Sequence, residues 1–189
     1  MALDNKIISD PTICQRYIDE VINRNNAEVA YGGYLEKRNL YGGYTYFEQE
    51  GKHRNIHLGI DFWAKAGTKV LAPMHGVVHS FKNNARKGDY GPTIILQHVL
   101  NDFWFHTLYG HLSVESLVDI KIGMKFEKGN ELGTLGTSDI NVNYAPHLHF
   151  QIIVDMEGKK GDYPGVCARK DLEFYRENCP DPNMLLKMP

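Results

Sequence analysis

Between residues 68 and 154 the chain is cut into short Val-, Ile- and aromatic-rich runs, near 68–82, 93–99, 102–112, 120–126, 130–135 and 147–154, with turn-forming residues between them. Runs of this length and composition suit strands joined by tight turns. The expected fold is therefore mainly β, an antiparallel β sandwich or barrel. One helix should precede it. Asp10-Pro11 supplies an N-cap acceptor and a proline at the first helical position. Ile13, Tyr17 and Val21, with Ile18 and Ile22 one position off, then form an apolar stripe to about Arg24, which Asn25-Asn26 ends. A further short helix is expected over 170–178. Two YGGY tetrapeptides, Tyr31–Tyr34 and Tyr41–Tyr44, read as turns and strands leading into the β region. We divide the chain into an N-terminal helical arm, 1–30, and one domain, 31–189, of a length that supports a single sizeable core.

The last strand, Ala145-Pro146-His147-Leu148-His149-Phe150-Gln151-Ile152, carries chemistry. Alternation turns His147, His149 and Gln151 to one face and Leu148, Phe150 and Ile152 to the other. Two imidazoles this close repel when both are charged, and make sense as neutral ligands beside a cation. Upstream, His57-Leu58-Gly59-Ile60-Asp61 places a histidine four residues before a carboxylate. On a flat strand their Cα atoms would stand roughly 13 Å apart, barely compatible with one ion at ~2.0–2.2 Å from both. Gly59 lets the chain bend and puts no side chain between them. His57, Asp61 and one histidine of the later pair make three protein ligands with a fourth position for water, the pattern of a catalytic zinc.

A third piece is Thr107-Leu108-Tyr109-Gly110-His111-Leu112. Alternation places His111 on the face of Phe105, Thr107 and Tyr109, with His106 on the opposite one. A histidine beside the metal but not on it can move a proton or hydrogen-bond an oxyanion, and Tyr109 is a candidate to orient it. His79 and His98, inside apolar runs, read as hydrogen-bonded structural residues; His53 and His75 fall in loops. Glu36-Lys37-Arg38 reads as a solvated charged face. The competing reading has this N-terminal arm reach the cleft, supplying Arg38 or a tyrosine, or shield the open position.

HxGxD, YGHL and HLHF, in that order, closely resemble the lysostaphin-type (LytM-like) zinc metallopeptidases, from about His57 to Val154. The connecting text agrees: Ala66–Pro73, Gly76-Val77-Val78 and the series Gly123, Gly129, Gly133, Gly136. The resemblance implies that family's duplicated hybrid β motif and one Zn2+ per chain. It makes His57, Asp61 and His149 the metal ligands, with His111 and His147 as catalytic partners. It implies hydrolysis of a peptide or amide bond, including the peptide cross-links of bacterial peptidoglycan. The stretches DYGPTIILQH, TLYGHLS, APHLHFQII, YPGV and CPDPNMLL are most similar to the module lying between a phosphotransferase-like and a class III aminotransferase domain in multidomain proteins. That likeness implies association with such partners. The chain departs from the family at Gly91-Pro92 and in TSDINVNYAP, loops that shape the substrate groove.

Composition narrows the remaining classes. A formal net charge of −2 without a basic block argues against a nucleic-acid partner. No apolar run approaches the ~18 residues of a membrane span. No signal-peptide core is seen at the N-terminus, so the expected location is the cytoplasm, or outside the cell if a leader was removed. Cys14, Cys167 and Cys179, odd in number and widely spaced, read as thiols of a reducing compartment. Two other readings keep the metal: a non-catalytic zinc-bearing binding module, and a cytosolic hydrolase of a small non-peptidoglycan amide. A cupin or mononuclear iron oxygenase fits less well, since its first pair is HxD or HxE and no Glu follows His149 at cupin spacing.

Overall fold

The computed structural model describes residues 11–38, 54–86, 88–141 and 145–188. Asp10, His53 and the second YGGY lie outside them. One open sheet dominates, in the order β1 (Ala30–Gly32), β3 (Ile60–Trp63), β10 (His147–Ile153), β7 (Phe103–Gly110), β6 (Gly91–Leu100), β5 (Gly76–Asn84), β8 (Lys125–Phe126). Every pairing in it is antiparallel. Two ribbons lie apart from it: β2 (Arg54–His57) with β11 (Val166–Ala168), and β4 (Lys69–Leu71) with β9 (Glu131–Thr134). Among the described residues the sheet does not close, so the barrel alternative is not realised.

The sheet is buried on both faces, which is why β6 begins with a run rather than an alternation of buried residues. On one face Ile94, Leu96, Tyr109 and Phe150 meet Val70 and Leu132 of the β4–β9 ribbon. On the other, Ile95, Leu108 and Ile153 meet Ile56 and Cys167 of the β2–β11 ribbon, with Tyr163 and Cys179. The β6–β7 hairpin turns at Asn101 and Asp102, φ 50° and 64°, the left-handed pair that a two-residue hairpin loop demands.

The helix α1 runs Pro11–Arg24 as expected, and Tyr17, Ile18 and Ile22 of the expected stripe pack inward, with Cys14 taking the place of Ile13. Cys14 and Ile18 seat against Ala145, while Ile13 is exposed. The expected helix near 170–178 begins as a turn of 3-10 helix and continues as α2 (Leu172–Asn178), followed by α3 (Asn183–Leu186). None of the three cysteines forms a disulfide. Among the described residues no helix is long and apolar enough to cross a membrane.

Candidate metal centre

The bend read at Gly59 is where the chain changes layers. His57 ends β2 and pairs with Val166 in the covering ribbon; Asp61 lies in the main sheet and pairs with His149. The histidine therefore descends onto the carboxylate from the layer above. Gly59 permits it: a Cβ there would come within 2.8 Å of the His149 ring and 2.6 Å of the Phe150 carbonyl oxygen. His57, Asp61 and His149 are all buried, at 4% exposure or less.

Three atoms converge between the layers. His57 Nε2 lies 2.9 Å from His149 Nδ1 and 3.2 Å from Asp61 Oδ1, and His149 Nδ1 lies 3.0 Å from the same oxygen. Their surroundings assign the protons. The Gly33 carbonyl, 3.1 Å from His57 Nδ1, can only accept, so the proton sits on Nδ1. Gln151 donates its amide to the Pro164 carbonyl (3.1 Å) and the Cys179 sulfur (3.2 Å). Its Oε1 must then accept from His149 Nε2–H, at 2.9 Å. That leaves a lone pair on His57 Nε2, a lone pair on His149 Nδ1 and a carboxylate oxygen pointing at one another with no hydrogen between them. Such a set is stable around a cation or a captured proton. Two imidazole nitrogens and one carboxylate oxygen fit zinc, whose ~2.0–2.2 Å bonds set tetrahedral ligand edges at about 3.3 Å.

Electrostatics agree. Burial alone would raise the Asp61 carboxyl, but Arg38, then His57 and His147, hold it well below its ordinary value. Burial pulls His57 down to about 4 despite Asp61, so the ring is neutral, as a ligand must be.

His147 and His111 stand beside this triangle, ring centroids 4.1 Å apart. His147 donates Nδ1–H to the Ala145 carbonyl (2.7 Å), turning Nε2 toward Asp61 Oδ2, 3.9 Å away. Trp63, its cross-strand neighbour, stacks on it at 5.9 Å. Burial keeps both rings neutral, driving His111 well below its ordinary range and lowering His147.

The alternation that placed His111 with Tyr109 does not hold. His111 lies one residue beyond β7 with φ 63°, and this left-handed residue turns its side chain onto the face of Gly110 and His149. Its backbone N–H is held by the Tyr90 carbonyl at 2.7 Å. Tyr109 faces the other core, packing on Phe150 and accepting from Thr107 Oγ1, so it does not orient His111. His106 shares the face of His149 but sits opposite Ile153, four rungs away. His98 is structural as read, bonded to the His75 carbonyl and Thr107 Oγ1, each at 2.7 Å.

Sequence reasoning missed Tyr90, whose ring lies 5.0 Å from that of His149 and fills the space left at Gly110. It also missed Trp63, which alternation from Asp61 would have placed on the right face. The Gly33 carbonyl left no side-chain signal to find.

The model of peptidase family M23 matches residues 55–162, more than half of the chain. An uncharacterized metalloprotease of Haemophilus influenzae is 34% identical over 99 residues, 52% of this chain and 19% of that one. The DD-carboxypeptidase/endopeptidase Mpg of Neisseria meningitidis is 34% identical over 96 residues, 51% and 20%. Lysostaphin of Staphylococcus staphylolyticus is 30% identical over 131 residues, 69% and 23%. The chain thus spans about a fifth of the length of these relatives.

Proposed function

The chain belongs to peptidase family M23, and we propose that it is a zinc-dependent hydrolase of peptide bonds, with His57, Asp61 and His149 holding the ion and His111 and His147 acting on the substrate. The observation that carries this reading is the convergence of three buried, hydrogen-free acceptor atoms with two neutral imidazoles at its rim.

A zinc ion held by His57, Asp61 and His149 would supply Lewis-acid polarisation of the scissile carbonyl and lower the pKa of a water toward neutrality. The chain's own residues do the rest. His147 Nε2, its lone pair turned into the cleft by the Ala145 hydrogen bond, takes a proton from the attacking water and passes it to the leaving amine. Neutral His111 keeps one N–H, which donates to the oxygen that gains charge as the carbonyl becomes tetrahedral. Asp61 stays ionised, with Oδ1 facing His57 and His149 and Oδ2 on the side of His147.

The name of the Neisseria relative supports a D-amino-acid peptide as substrate, and with it peptidoglycan cross-links. The likeness to the module between phosphotransferase-like and aminotransferase domains supports a finer placement within the family and partners of those kinds. The test pairs metal analysis with hydrolysis of Gly-Gly and D-Ala-linked peptides. His149→Ala should abolish metal binding. His111→Ala should keep the metal and lose ~10²–10³-fold in turnover. Full activity in both variants would sink the assignment.

A further inference from the structure

Residues 33–38 lie outside the span that the family model matches, yet they touch two of the three metal-binding side chains. The segment is pinned along β2. Leu35 N–H donates to the His57 carbonyl (2.8 Å), His57 N–H to the Glu36 carbonyl (3.0 Å) and Arg38 N–H to the Asn55 carbonyl (2.7 Å). Lys37 forms a bridge with Ile56, and the Tyr34 hydroxyl donates to the Cys179 carbonyl at 2.6 Å. Held this way, the Gly33 carbonyl meets His57 Nδ1. The Arg38 guanidinium, its side chain 10% exposed, bonds Asp61 Oδ2, lies 6.0 Å over the Trp63 ring and is steadied by Glu36 Oε2 at 3.3 Å.

The two oxygens of Asp61 are thereby divided. Oδ1 faces the imidazole nitrogens of His57 and His149; Oδ2 is engaged by the guanidinium. A carboxylate with one oxygen held by arginine presents a single oxygen to an ion, whereas an unrestrained one can offer both. The distinction sets coordination number, and with it whether a position is left for water.

We propose that residues 33–38 are a working part of the metal centre: Arg38 restricts Asp61 to one-oxygen ligation, and the Gly33 carbonyl makes His57 present Nε2. Arg38 is a positioning residue in this scheme, acting through Asp61, and the inference rests on the metal-binding reading above. Two measurements on the full chain test it.

In the first, cobalt(II) replaces the resident ion and its visible spectrum is recorded. The wild-type protein should show the intense absorption of a four-coordinate ion, three protein ligands and water. Arg38→Gln and Arg38→Met should bind cobalt with the weaker absorption of a higher-coordinate ion. Variant spectra identical to wild type overturn the role of Arg38 while leaving the metal site standing. A wild-type chain that binds no cobalt overturns the metal-binding reading itself, and this inference with it.

The second needs no variant. Nitrogen-15 shifts of the metal-free protein at mildly alkaline pH should show His57 protonated on Nδ1, against the Nε2–H form that solvated imidazole prefers. A proton on Nε2 overturns the role of Gly33.

Discussion

At the scale of single residues, the centre depends on small side chains as much as on the imidazoles and carboxylate that converge there. Gly59 has no tolerance for a methyl group, because His149 and the Phe150 carbonyl already occupy that space. Gly59→Ala should destabilise the fold by about 1–3 kcal/mol and displace His149. Thermal melting and zinc competition against a chelator will read both losses, and an unchanged affinity would show that the neighbours can yield. Gln151 makes the complementary case. Wholly buried, it is oriented by two acceptors and orients His149 in turn. Gln151→Met keeps the volume but loses the acceptor for His149 Nε2–H. Metal affinity should fall ~10–100-fold, measured by the same competition. His111 is held in a left-handed conformation uncommon for a residue with a Cβ. Backbone bonds on both sides maintain it, from His111 N–H to the Tyr90 carbonyl and from Gly136 N–H to the His111 carbonyl.

Between elements, the site is a junction of two layers, so its geometry follows from how the covering ribbon is fastened. The β2–β11 ribbon supplies His57, and the C-terminal segment secures that side of the molecule. Asn178 at the end of α2 donates to the Asp155 carbonyl (2.8 Å) and the Tyr163 hydroxyl (2.5 Å) and accepts from Asp155 N–H (2.8 Å), joining the helix to the end of β10. Asn178→Ala leaves these buried groups unsatisfied and should cost about 2–3 kcal/mol, seen as a lowered denaturation midpoint. A variant within experimental error of wild type would mean that water replaces the amide. Much at this scale was legible in sequence. The strands near 93–99, 102–112 and 147–154 and the helix Pro11–Arg24 formed where runs and caps placed them. The face of His111 was not legible, because strict period-2 counting fails at the first residue whose φ leaves the strand region.

Across the whole molecule, the distinctive property is the number of imidazoles kept from protonating. Burial, the largest cause in each case, lowers His57, His79, His98, His106, His111 and His147, with His57 and His106 reaching about 4 from an ordinary 6.5. In the unfolded chain each takes up a proton as the pH falls through 6.5; in the fold, only further down. Stability from these groups is therefore present above pH 6.5 and lost as pH falls toward 4. Asp61 adds its own loss only below about 3.8, where the unfolded carboxylate protonates. Metal-free protein should melt roughly 10 °C or more lower at pH 4.5 than at pH 7, and His106→Gln should lessen the drop. A melting temperature flat across that interval would contradict it. The sequence by itself determined the strand-rich class and the order of the His and Asp residues that converge, since apolar periodicity and donor chemistry are local properties of the text. Tertiary structure alone decided that the His57–Asp61 bend crosses between layers, which nitrogen each ring presents and that Arg38 takes one oxygen of Asp61. Those outcomes depend on atoms brought together from residues far apart in the chain, and on backbone carbonyls that every residue type carries alike.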